Sequence, residues 1–176
     1  MGGRDGGTID GVDAELVVLA DAIGSRLAGR QVATAESCTA GRVATALACA
    51  EDAASFVRGG LVCYQVETKR RLLDVEADSV YSIEAAVEMA IGVCRHLHAD
   101  VSVATTGVAG DTDEDGVPPG TVFIATCISG DASARRYHFD GDALAVCEQA
   151  THQALSDLAK VLEPAVADEQ LTAGSA

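Results

Sequence analysis

Three short apolar runs, at residues 32–35, 59–64 and 101–105, are separated by segments whose apolar residues recur at helical spacing. This alternation constrains the fold more than any other feature of the chain. Strands without polar alternation must be covered on both faces, and the intervening helices supply that cover. Leu16, Leu19, Ala20, Ile23 and Leu27 mark a first helix over 13–29 with Asp13 as its cap. An Ala-rich helix is predicted over 39–49, a short one over 66–73, a long one over 82–98 capped by Ser82, and a last one over 142–162. Residues 121–128 and 134–139 read as two strands around a Gly130-Asp131 turn. The expected fold class is α/β, a single three-layer α/β/α domain with a mixed sheet. Its expected span is 13–163, between flexible tails over 1–12 and 164–176 that have little to bury.

A chain of 176 residues that is 48% hydrophobic is sized for one domain with a full core. Its formal net charge of −15 leaves no basic stripe to neutralise phosphates, so neither nucleic acid nor an anionic membrane is an expected partner. Acidic residues total 27 against 12 Lys and Arg, a balance that suits a salt-rich cytosol in which screening relieves self-repulsion. With neither a signal-peptide core nor a membrane-length apolar run, a soluble, cytoplasmic protein is expected. The six cysteines form no C-x-x-C pair and read as reduced thiols, with Cys38 the candidate for reactivity. The histidines lack ligand spacing, and no metal or cofactor is expected.

Where the first strand turns into the Ala-rich helix, Glu36, Ser37, Cys38, Thr39, Ala40 and Gly41 bring nucleophile-capable side chains and a glycine together. Ligands of open α/β sheets collect beyond the carboxyl ends of strands, and three such segments could converge there: 37–41, 64–69 and 106–110. They offer Ser37 as nucleophile, Lys69 as base, Tyr64 as proton relay, and Thr39 and Thr106 as hydroxyl contacts. Lys69 stands out because ten of the twelve basic residues are Arg, which cannot give up its proton, whereas a desolvated lysine can. Glu36 has two readings, orienting Lys69 or a water, or bonding backbone at the turn.

The motifs Thr34-Ala-Glu-Ser-Cys-Thr-Ala-Gly41, Gly59-Gly60-x3-Tyr64-x4-Lys69-x2-Leu72-Leu73, Met89-Ala90, Ala99-Asp100, Thr106-Gly-Val-Ala-Gly110 and Pro119-Gly-Thr-Val122 follow one another in order. On these the chain resembles the C-terminal domain of the competence/damage-inducible CinA proteins, which also occurs alone as nicotinamide mononucleotide deamidase. The resemblance runs from about residue 32 to residue 162. It implies a Ser/Lys amidohydrolase with Ser37 as nucleophile, Lys69 as base and Tyr64 beside them, releasing ammonia and nicotinate mononucleotide. Glu36, Thr39, Ala40, Gly41, Gly60, Thr106 and Gly107 would line the substrate, with backbone N–H groups of residues 39–41 facing the oxyanion. A small-molecule nucleotide is the implied partner, and a homodimer the assembly to test.

The chain also departs from that family. Where the family usually carries arginines, this chain has Ala143 and Cys147, which leaves Arg42, Arg135 or Arg136 to meet a phosphate. The family's Pro-Gly-Gly is replaced by an acidic loop from Asp111 to Asp115. That loop matches only the first half of a calcium loop, since Val122 stands where a bidentate Glu is required, and a solvated loop is expected. Two alternatives follow from the departures: a catalytically weak nucleotide-binding or regulatory module of the same fold, or an amidase for a non-phosphorylated amide.

Overall fold

The computed structural model describes residues 12–164. The tails expected over 1–12 and 164–176 lie outside it except for Val12 and Pro164. Five strands form one sheet in the order β2-β1-β3-β4-β5. These are β1 (Val32–Glu36), β2 (Val57–Val62), β3 (Val101–Gly107), β4 (Thr121–Ile128) and β5 (Asp131–His138). β1 pairs in parallel with β2 and β3, whereas β4 runs antiparallel to both β3 and β5, so the sheet is mixed.

Helices cover both faces, as the apolar runs required. On one side α1 (Ala14–Leu27), α2 (Arg42–Ala48) and α6 (Ala143–Val161) pack through Ile23, Leu27, Val43, Leu47, Leu155 and Leu158 onto Val103 and Ile124. On the other, α4 (Val66–Leu73) and α5 (Ile83–Leu97) bring Leu73, Met89 and Val93 onto Ala33, Ala35, Ala104 and Ala125. Small residues on that face of the strands let α5 approach closely. Every residue of β1 is buried, the burial expected of a parallel strand paired on both sides and covered on both faces.

The predicted caps hold: Asp13 and Ser82 accept the N–H groups of Glu15 and Ala85 and start α1 and α5, and Asp142 does the same for α6 through the N–H of Ala145. Several bounds differ from expectation: β2 covers Val57–Val62 rather than 59–64, β3 runs on to Gly107, and β5 starts at Asp131 rather than 134. α2 begins at Arg42 rather than near residue 39, because Ala40 and Gly41 are left-handed, with φ of 51° and 94°. A further four-residue helix, α3 (Ala53–Phe56), precedes β2.

Since β2 and β3 flank β1 on opposite sides, the chain leaving β1 heads for β2 and the chain leaving β3 heads for β4, so the two diverge at the carboxyl ends of β1 and β3. That is the switch point at which open α/β sheets hold ligands, and Ser37 is the first residue beyond it. No helix among the described residues is long and apolar enough to cross a membrane.

Candidate active site

The turn after β1 is organised by a buried carboxylate. Glu36, 1% exposed, accepts five hydrogen bonds. Thr34 Oγ1 (3.1 Å) and the N–H of Ala44 (2.8 Å) donate to Oε1. Thr39 Oγ1 (2.7 Å) and the N–H groups of Gly41 (2.9 Å) and Val43 (3.1 Å) donate to Oε2. The hydroxyl of Thr39 has one proton and spends it on Glu36, so Thr105 Oγ1, 2.7 Å away, donates to Thr39. The first N–H groups of α2 lack intrahelical acceptors, and Gly41 has no side chain to cap them. Glu36 takes that role from the end of the neighbouring strand.

Ser37 is thereby held rigidly. Its N–H donates to the Thr105 carbonyl at 3.0 Å and its carbonyl accepts from Ala40 at 3.1 Å, while its hydroxyl has no hydrogen-bond partner among the described residues. The N–H groups of Cys38 and Thr39 likewise have no protein acceptor among those residues. A free hydroxyl and unspent donors are thus adjacent in the chain.

Lys69 reaches the same turn from α4. It is 1% exposed, and its Nζ donates to the backbone carbonyl of Tyr64 at 2.9 Å. Burial lowers its pKa, an effect that the nearby thiols of Cys38 and Cys63 oppose. Cys38 itself is pushed up to about 12, chiefly by burial and next by the Cys147 thiol. Such a shift disfavours the thiolate, the reactive form of a cysteine. The Cys147 thiol, on the first turns of α6, donates to the Cys38 carbonyl at 2.7 Å and ties that helix to the turn. This contact between distant chain segments was not foreseen, since nothing in the local sequence links residue 147 to the turn.

The hydrogen bond of Lys69 Nζ goes to the Tyr64 carbonyl, and none joins it to Ser37 among the described residues. A serine with a free hydroxyl and a buried lysine are groups that acyl transfer can use, and known proteins of this shape bear on the chemistry. The model of the CinA C-terminal domain matches residues 17–162. The chain belongs to the CinA C-terminal domain family. Protein YdeJ of Escherichia coli K12 is 40% identical over 152 residues, covering 82% of this chain and 88% of that protein. The nicotinamide-nucleotide amidohydrolase PncC of the same organism is 36% identical over 155 residues, covering 83% and 94%. Among solved structures, the CinA superfamily protein from Enterobacter cloacae has a TM-score of 0.82 at 34% identity, covering 92% of this chain and all of that one.

Within this CinA domain, several residues expected to line the substrate have partners within the fold. The carboxylate of Glu36 is fully engaged by protein donors, which selects its backbone-bonding role over orienting Lys69. The hydroxyl of Thr39 is spent on Glu36, and that of Thr106 on the Val80 carbonyl at 2.7 Å. Of the three amides expected at the oxyanion, that of Ala40 goes to the Ser37 carbonyl and that of Gly41 to Glu36, which leaves Thr39 with Cys38. Gly60 and Gly107 are glycines for packing: a Cβ would overlap Thr34 Oγ1 at the first and the Thr121 carbonyl at the second. Tyr64 meets Lys69 through its backbone, and its side chain is 68% exposed. The acidic loop is exposed from Asp111 to Gly116. Among the described residues, no group of three or more His, Cys, Asp or Glu is placed to hold a metal.

Proposed function

We propose that this CinA-family protein is a Ser/Lys amidohydrolase that removes ammonia from nicotinamide mononucleotide. The observation that carries this reading is the burial of Lys69, which favours the neutral amine that a base requires. The unspent hydroxyl of Ser37 and the name of the relative PncC support the same chemistry.

In this reading Lys69 takes the Ser37 proton as Oγ adds to the carboxamide carbon of the nicotinamide. The N–H groups of Cys38 and Thr39 stabilise the oxyanion, an effect whose loss at a single donor costs about 3 kcal/mol. The C–N bond then breaks, Lys69 returns its proton to the departing ammonia, and nicotinate remains esterified to Ser37. Lys69 next takes a proton from water as the water adds to the ester. The Ser37–acyl bond breaks, the proton goes back to Oγ, and nicotinate mononucleotide leaves. Both half-reactions use the same two side chains.

Ammonia release from nicotinamide mononucleotide by the purified protein tests the reading, with Ser37→Ala and Lys69→Ala as controls. Turnover lost in both variants is the expected result; no turnover by the parent protein at any salt concentration would reject it, and binding without turnover would point to a regulatory module. The exposed acidic loop favours a second reading, an amidase for a non-phosphorylated amide, because an anionic substrate meets repulsion there. Preference for nicotinamide riboside over the nucleotide would select it.

A further inference from the structure

A nucleotide substrate brings a phosphate, and the charges around the site are mostly of the wrong sign for it. Asp111, Asp113, Glu114 and Asp115 are exposed on the loop after β3. Lys69 is buried, with its amine on the Tyr64 carbonyl. Most guanidinium groups are engaged elsewhere: Arg26 with the Ala159 carbonyl, Arg30 with the Leu27 carbonyl, Arg70 with the Ala77 carbonyl, Arg95 with Asp74, and Arg136 over the Phe123 ring.

Arg42 differs in both position and engagement. It directly follows the reactive turn, its N–H donating to the Thr39 carbonyl at 3.1 Å, and its side chain is 45% exposed. That side chain leans toward α6, where Nη1 lies 4.0 Å from Glu148 Oε1. The neighbouring Cys147 thiol, which donates to the Cys38 carbonyl, lies within the influence of the Arg42 charge. The guanidinium therefore lies beside the first turns of α6, one of whose side chains, Cys147, is hydrogen-bonded to the Ser37–Cys38 turn. An ion pair at 4.0 Å between two half-exposed side chains is weak, so the planar fork remains available for a bidentate anion.

We propose that Arg42 holds the phosphate of the nucleotide substrate and that Glu148 competes for it, so that this pair sets the preference for nucleotide over nucleoside. The proposal rests on the nucleotide-amidohydrolase reading.

Kinetics with nicotinamide mononucleotide and nicotinamide riboside on the full chain read the contact directly. In Arg42→Gln the ratio of kcat/KM for nucleotide to that for nucleoside falls about tenfold or more, mostly through KM. Arg42→Lys recovers part of the ratio, and Glu148→Gln raises it above the parent value. A ratio within about twofold of the parent in Arg42→Gln overturns the proposal. If that variant does not fold, Glu148→Gln decides by the same measure, an unchanged ratio counting against it. Should the parent protein release no ammonia from either compound, the amidohydrolase reading fails, and calorimetric binding of nicotinamide mononucleotide tests Arg42 alone. Weaker binding in Arg42→Gln retains it, whereas equal affinities, or no binding by either protein, remove it.

Discussion

The Glu36 carboxylate accepts the Ala44 N–H at 2.8 Å, joining the last residue of β1 to the first turn of α2. This relationship explains how the turn can hold left-handed residues without collapsing. One buried charge, solvated by five protein donors, replaces the local caps that Gly41 cannot provide.

Removing that charge leaves several donors unsatisfied in the core. Glu36→Ala should destabilise the domain by about 3 kcal/mol or more, since hydrogen bonds to charged groups are worth roughly 1.5–3 kcal/mol each. For a domain of this size the thermal midpoint falls by about 6–12 °C. Glu36→Gln, which keeps part of the acceptor set, should fall between. Calorimetry of the three proteins checks this, and an unchanged midpoint in Glu36→Ala would contradict the capping role.

Burying Lys69 costs stability. Burial lowers its pKa, so between the folded and unfolded values the unfolded chain binds more protons and stability rises with pH. The cost is fully present below the folded value and is relieved as pH approaches the unfolded one. Lys69→Met should therefore be more stable than the parent at pH 7, by about 1 kcal/mol, and release no ammonia. Urea unfolding should show the advantage narrowing toward about pH 10, and a gap independent of pH would rule out this origin.

Burial separates the cysteines by reactivity. With its pKa pushed up to about 12, Cys38 has about one part in ten thousand as thiolate near pH 8. Cys49 is exposed on the surface. Brief iodoacetamide treatment of the native protein, followed by peptide mass spectrometry, should find label on Cys49 and none on Cys38, with Cys38 labelled only after unfolding. Early labelling of Cys38 would restore it as a competing nucleophile.

A net charge of −15 repels itself most in dilute buffer. Salt near 1 M shortens the Debye length to about 3 Å, and the thermal midpoint should keep rising beyond the first few hundred millimolar. A midpoint that levels off below that range would mark an ordinary acidic protein.

Much of this molecule was legible in the amino-acid order. The periods of apolar residues, with Asp13 and Ser82 as caps, located the long helices, because a cap and an apolar stripe act within a few residues of each other. The hairpin between β4 and β5 was legible from Gly130-Asp131, although β5 starts at Asp131 rather than 134, since Ser129 and Gly130 supply the positive φ of a tight turn. Ser37 and Lys69 stood out by chemical type, one for its place after an apolar strand and the other as a lysine in a chain that otherwise prefers arginine.

Tertiary structure alone decided what the other residues of the turn do. Glutamate, threonine and glycine read alike whether they meet a ligand or another part of the chain. Only the folded arrangement put the Glu36 carboxylate on α2, the Thr106 hydroxyl on Val80 and the Gly60 backbone against Thr34. It also brought Cys147 to Cys38 across 109 positions. The sequence by itself determined the alternation of elements, because hydrophobic periodicity and capping are local. Hydrogen-bond partners depend on which segments the packed core brings together, so the assignment of polar groups to chemistry or to architecture was left to the fold.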